Sequence, residues 1–153
     1  MPQTSTRLAQ PEDIPVLALF ERELARCNFP ENPIEDLDYH ASRLRKGLVR
    51  EPEGMVVLVA PETQEILAWL WVITKRTLAT AEQYGVIRSL YVRASARNGG
   101  LGTMLAEYAR SFLHERGIIR AVATVHTGNI LAVRTLEKAG FAPIQSVLEW
   151  RGR

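Results

Sequence analysis

The nine residues Ser95-Ala96-Arg97-Asn98-Gly99-Gly100-Leu101-Gly102-Thr103 gather three glycines, an arginine and two hydroxyls into one short stretch. Glycine has no Cβ, so positions 99, 100 and 102 accept positive φ and let a ligand lie directly against the backbone. An alternating apolar run precedes the stretch and a helical pattern follows it. A strand delivering such a turn into a helix leaves several N–H groups unpaired at the helix start. The helix dipole adds the equivalent of about half a positive charge there, and Arg97 and Arg93 supply full charges nearby. These groups suit a phosphate or a pyrophosphate. The spacing is not Gly-x-Gly-x-x-Gly, and no Gly-Lys-Ser/Thr follows, which sets aside two other phosphate loops. A plain tight turn is the competing reading of Gly-Gly-x-Gly taken alone.

The elements that must position this turn are legible as periodicities. Residues 6–9 read as a first strand. Pro11-Glu12-Asp13 opens a helix, with Ile14, Leu17, Ala18 and Leu24 near helical spacing. A proline-rich break at 28–33 precedes a second helix over 35–46, closed by Gly47. Runs 55–60 and 66–74 form a hairpin around Pro61-Glu62-Thr63-Gln64. In the second run Trp69, Trp71 and Ile73 alternate with Ala68, Leu70 and Val72, so both faces are apolar, the strand is central, and the tryptophans belong to the core. A polar loop over 75–84 leads to a strand at 86–92. After the glycine turn come a helix over 101–116 ended by Gly117, a strand over 120–125, a helix over 129–139 closed by Gly140, and a last strand over 145–150. Leu101, Leu105, Tyr108 and Phe112 form the apolar stripe of the helix after the turn. Strand, helix, strand implies a parallel pair. The fold class is α/β, a mixed sheet with a largely antiparallel front half, in a single domain spanning 1–153.

Composition limits what such a domain does. At 153 residues, 46% hydrophobic and 24% charged, the chain is long enough to bury a core without disulfide or metal. Its single cysteine, Cys27, allows no internal disulfide and points to a reducing compartment. No signal peptide opens the chain, and the longest apolar run is too short to span a bilayer. A soluble, cytoplasmic protein is expected, with no membrane partner. Charge is uneven: residues 1–65 sum to −5 and residues 66–153 to +7. Of the 19 basic residues, 16 are arginine, whose planar fork suits phosphate. The arginines cluster at the turn and form no long stripe with exposed aromatics, so nucleic-acid binding is not expected.

Arg97-Asn98-Gly99-Gly100-Leu101-Gly102 resembles the Arg/Gln-x-x-Gly-x-Gly/Ala signature of the GNAT (GCN5-related N-acetyltransferase) superfamily, and Leu90-Tyr91-Val92 before it resembles that family's fourth strand. Asn129-Ile130-Leu131-Ala132 with Glu137-Lys138-Ala139-Gly140-Phe141 is similar to the second signature, Asn-x-x-Ala followed by Glu-Lys-x-Gly-Phe. The resemblance implies an acyl-CoA N-acyltransferase fold in which parallel strands four and five splay apart. It implies acetyl-CoA as cosubstrate and no metal. Pantetheine would pair with Leu90, Tyr91 and Val92, the pyrophosphate would lie on Asn98, Gly99, Gly100, Leu101, Gly102 and Thr103 beside Arg97, and Asn129 would serve CoA or its own loop. Asn129 as a plain helix N-cap is the other reading. The reaction implied is direct attack of a primary amine on the thioester in a ternary complex, with proximity and a strand-four amide from Val92 or Leu90 doing most of the work.

The chain departs from that pattern at both proton carriers. Arg88 or Ser89 stands where the family often has a glutamate base, and Leu136 where it often has a tyrosine acid. Glu82, Tyr84, Tyr91 and His126 are the substitutes by residue type and place, and water is another. Arg88 suggests an anionic group on the acceptor, such as an amino acid carboxylate. Glu21, Glu23, Glu31, Glu35, Asp36 and Asp38, with Phe20 and Phe29, suggest the opposite: an acidic entrance for a cationic small-molecule or peptide amine. A non-catalytic acyl-CoA sensor shares the cofactor site and differs only in turnover. A homodimer joined through an edge strand at 147–150 is a further expectation.

Overall fold

The computed structural model describes residues 3–152. A five-stranded sheet in the order β1-β2-β3-β4-β5 organises them. β1 (Ser5–Leu8), β2 (Met55–Val59), β3 (Ile66–Arg76) and β4 (Gln83–Val92) are antiparallel neighbours, and β5 (Ala121–Ala123) joins β4 in parallel. Helices α1 (Ile14–Asn28) and α2 (Leu37–Arg50) lie on one face, and α3 (Leu101–Glu115) lies on the other. α4 (Ile130–Lys138) follows β5.

The period-two pattern of β3 decides both faces. Trp69, Trp71 and Ile73 pack with Met55, Val57, Leu17, Phe20 and Leu44 under α1 and α2. Ala68, Leu70 and Val72 pack with Val56, Leu58, Leu105, Phe112 and Leu113 under α3. Each fully buried aliphatic or aromatic side chain contributes roughly 1.5–3 kcal/mol relative to exposure, which makes this doubly covered strand the anchor of the sheet. The entrance to α1 is a 3-10 turn, Pro11–Asp13, fixed by the Asp13 carboxylate. That carboxylate accepts from Gln10 N at 2.8 Å and from both terminal nitrogens of Arg7 at 2.7 and 3.0 Å.

Four boundaries differ from expectation. Gly47 lies inside α2 and does not end it. A Cβ there would stand 2.7 Å from Cζ2 of Trp71, so the glycine admits the indole and caps nothing. β3 and β4 are longer than their apolar runs, leaving only residues 77–82 as loop, because Thr77 N–H bonds Glu82 O and keeps the ladder going. β5 covers only Ala121–Ala123. Residues 145–150 form no strand: Val147, Leu148 and Trp150 are 83%, 92% and 87% exposed. An alternating pattern makes a strand only where a neighbouring edge offers matching N–H and C=O groups, and this segment pairs with none.

Candidate functional site

The site begins with one extra residue in β4. Trp71 pairs with Ser89 but Val72 pairs with Ile87, which leaves Arg88 as the inserted residue of a β-bulge. On a regular strand, residues an even number apart point the same way. The bulge reverses that phase, so Gly85 N–H bonds Arg120 O on the β5 side while Arg93 N–H bonds Leu67 O on the β3 side. Above the bulge the main-chain groups of Leu90 and Val92 therefore face away from β3. On that side β5 has already left, since the parallel ladder stops at Ile87–Ala123. A cleft opens there between Arg88, Ser89 and Leu90 on one wall and Thr124, Val125 and Leu136 on the other.

The glycine turn lies just beyond this separation. Among the described residues, none of the N–H groups from Asn98 to Thr103 donates to a backbone carbonyl. Asn98 and Gly100 hold φ of 67° and 81°, which aims successive amides outward, and a Cβ on Gly100 would meet nothing within 4 Å. Arg97 folds back: its Nε donates to Val92 O at 3.1 Å and its guanidinium lies 5.9 Å from the Tyr91 ring centre. The main-chain groups of Leu90 and the N–H of Val92, leading to an open nest of amides, fit a pantetheine arm followed by a diphosphate, so these residues suit coenzyme A.

The expected proton carriers are scattered. Tyr91 is at the separation, its ring 4.5 Å from Phe20, and burial pushes its hydroxyl up against the opposing charge of Arg97. His126 is exposed; its Nδ1 accepts from Gly128 N at 2.9 Å, and its main-chain N–H donates to Asn28 Oδ1 at 3.1 Å. Tyr84 and Glu82 stand at the other end of β4, where β4 and β5 are still paired, with Arg120 5.3 Å from the Tyr84 ring. Asn129 caps α4 through Ala132 N at 3.4 Å and donates to Asn28 Oδ1 at 3.2 Å, so both its side-chain ends serve the fold. Leu136 is buried in the cleft wall.

Sequence reasoning missed the role of Glu21, which it placed in an acidic entrance. Glu21 is 7% exposed, accepts from Ser89 Oγ at 2.8 Å and from Trp69 Nε1 at 3.3 Å, and burial raises its carboxyl above the ordinary glutamate range against those two hydrogen bonds. Its partners lie 48 and 68 residues away in the chain, so no local signal marks it. Four of the other five acids of that stretch are engaged as well, Asp38 being the exception among the described residues. Glu23 and Glu35 both hold Arg26, at 2.5 and 2.7 Å; Glu31 pairs with Arg151; Asp36 caps α2 through Asp38 N at 2.9 Å.

A model described as the acetyltransferase (GNAT) family matches residues 17–141. The chain therefore belongs to that family, whose members transfer acetyl groups from acetyl-CoA. Solved structures agree in fold. A possible acetyltransferase from Clostridium difficile 630 is similar over 98% of this chain and 97% of its own, at 19% identity and TM-score 0.76. A putative acetyl transferase from Pyrococcus furiosus is 23% identical over 97% and 99%, at TM-score 0.76. A predicted acetyltransferase from Clostridium acetobutylicum, crystallised with acetyl-CoA, is 21% identical over 97% and 96%, at TM-score 0.72. No functionally curated sequence matches the chain. Among the described residues, no helix is long and apolar enough to cross a membrane.

Proposed function

We propose that the chain is an N-acetyltransferase, residues 1–153 acting as one domain, which acetylates a primary amine in a ternary complex with acetyl-CoA. The observation that carries this reading is the separation of β4 from β5 beside a turn of unpaired amides. Acetyl-CoA supplies an activated thioester, whose carbonyl carbon bonds the amine nitrogen as the C–S electron pair leaves on sulfur. Leu90 by its main chain and Val92 by its N–H hold the pantetheine arm, while the main chain of Tyr91, the third residue expected there, is taken by the ladder with Trp69 of β3. Asn98, Gly99, Gly100, Leu101, Gly102 and Thr103 hold the diphosphate, Arg97 braces the turn against Val92 O, and Asn129 fixes the neighbouring loop. The proton lost by the amine passes to Ser89 Oγ as that hydroxyl gives its own to Glu21, whose raised pKa makes it a stronger base than a solvated glutamate. Tyr91, kept protonated by burial, is the donor to the departing sulfur, and His126, exposed beyond β5, holds its loop through Asn28 and Gly128. Glu82 and Tyr84 are not needed by this scheme.

Calorimetric titration with CoA and a thiol-release assay with acetyl-CoA and a panel of amines test it. Saturable CoA binding with amine-dependent thiol release is the expected result. Binding without release from any amine favours a sensor, and absence of binding removes both readings. The assembly we propose is a homodimer, the exposed apolar tail of one copy lying along the outer edge of β5 in the other. Light scattering should then give twice 17.2 kDa.

A further inference from the structure

On the α1 and α2 face of the sheet, at the mouth of the cleft, cations outnumber their partners. Arg88 leaves the bulge with its guanidinium 5.2 Å from the Trp71 ring centre, and Arg43 of α2 lies 5.6 Å from the same ring and 5.9 Å from Tyr39. Arg50 is near enough for its charge, with that of Arg43, to act on Arg88. Among the described residues none of the three is within 4.0 Å of a carboxylate. The buried carboxylate on this face, Glu21, is already bonded to Ser89 and Trp69. The Trp71 indole N–H, 2% exposed as a residue, also finds no acceptor. The face is thus rich in donors and short of acceptors.

Like charges gathered in this way repel. Partial burial lowers the pKa of Arg88, and the charges of Arg43 and Arg50 lower it further, outweighing the opposing charge of Glu21. An isolated protein gains nothing by holding guanidiniums together, whereas a bound anion would relieve the repulsion and accept charge-assisted hydrogen bonds from the forks. Position narrows the choice of anion. Arg88 is the first residue past the end of the β4–β5 ladder, and Ser89 beside it carries the hydroxyl that faces Glu21.

Resting on the acetyl-transfer reading, we propose that the acceptor is an amine carrying its own carboxylate a few atoms from the nitrogen, as an amino acid does. Arg88 and Arg43 hold the carboxylate, and the nitrogen turns toward Ser89 and the cleft. The glutamates of the acidic stretch offer a cation little, because they are tied to Arg26, Arg151, Ser89 and Trp69.

The test compares the twenty amino acids with their primary carboxamides, which remove only the charge, and with the matching aminophosphonates, in the thiol-release assay. Losing a charge-assisted bidentate contact should lower kcat/KM by about tenfold or more for the amides. In Arg88→Met, which keeps a chain over Trp71, that preference should collapse through KM while CoA affinity stays as in the wild type. Amides used as well as acids would overturn the proposal and leave acetyl transfer standing. Preference for the phosphonates would overturn the carboxylate assignment. If no amine is turned over, acetyl transfer itself fails. Calorimetry on CoA-loaded protein then decides the anion site: binding of amino acids and not their amides upholds it, and equal or absent binding rejects it.

Discussion

Glu21 concentrates the residue-scale chemistry. A carboxyl that burial holds above its ordinary value of 4.5 keeps its proton in the folded state when the unfolded chain has released it. Its stabilising contribution is complete below the unfolded value and is lost as pH rises through the folded one. Glu21→Gln removes this dependence and keeps an acceptor for Ser89 or Trp69. The melting temperature of the wild type should therefore decline against that of the variant as pH rises above the ordinary glutamate value of 4.5. In the assay the same substitution should lower kcat by about 100-fold or more and flatten the acid limb of the pH profile. A variant that melts normally and still turns over would remove Glu21 from the proton path. Asp13 behaves in the opposite sense. Burial favours its neutral form, but the hydrogen bonds from Arg7 and Gln10 and the charge of Arg7 outweigh this and hold its pKa low. Its contribution is present above its unfolded value and disappears as pH falls through the folded one. Asp13→Asn should lower stability at neutral pH by about 1–3 kcal/mol, measured by urea unfolding, with the difference shrinking in acid.

At the scale of elements, α3 has to deliver its N-terminus to the cleft and also lie close to α4. Gly102 makes the second possible. A Cβ there would sit 2.8 Å from Thr135 Cγ2 of α4, inside any normal contact distance. Gly102→Ala should shift the denaturation midpoint by about 1–3 kcal/mol, the usual effect of overpacking, and Thr135→Ser in the same chain should recover most of it by deleting the offending methyl. Coenzyme A affinity should follow the pair, because the amide of residue 102 belongs to the nest. The bulge at Arg88 works on the same scale. It turns the main chain of Leu90 and Val92 toward the cleft and places Arg88 and Ser89 together on the face of α1 and α2.

For the molecule as a whole, the chain after α4 is the informative part. Ile144, Val147, Leu148 and Trp150 are 70–92% exposed, so the tail contributes little apolar burial within one copy. Removing residues 143–153 should leave the melting temperature of the isolated chain within a few degrees, on the order of 1 kcal/mol, while light scattering should report a monomer where the proposed dimer stood. A large drop in melting temperature at low concentration would mean that the tail belongs to its own core.

What could be read without coordinates was local. The glycine turn, the stripe of α3, the twofold alternation of β3 and the Asn129 cap each rest on residues within one element, where backbone geometry fixes which side chains share a face. The family signatures lie in those same elements. Tertiary structure alone decided the rest, because the deciding partners are far apart in sequence: Ser89 on Glu21, Asn129 on Asn28, Arg151 on Glu31. It also decided the phase reversal at Arg88 and the unpaired final segment. A strand's register and its very existence depend on the hydrogen-bonding edge beside it, and no single segment carries its neighbour's edge in its own residues.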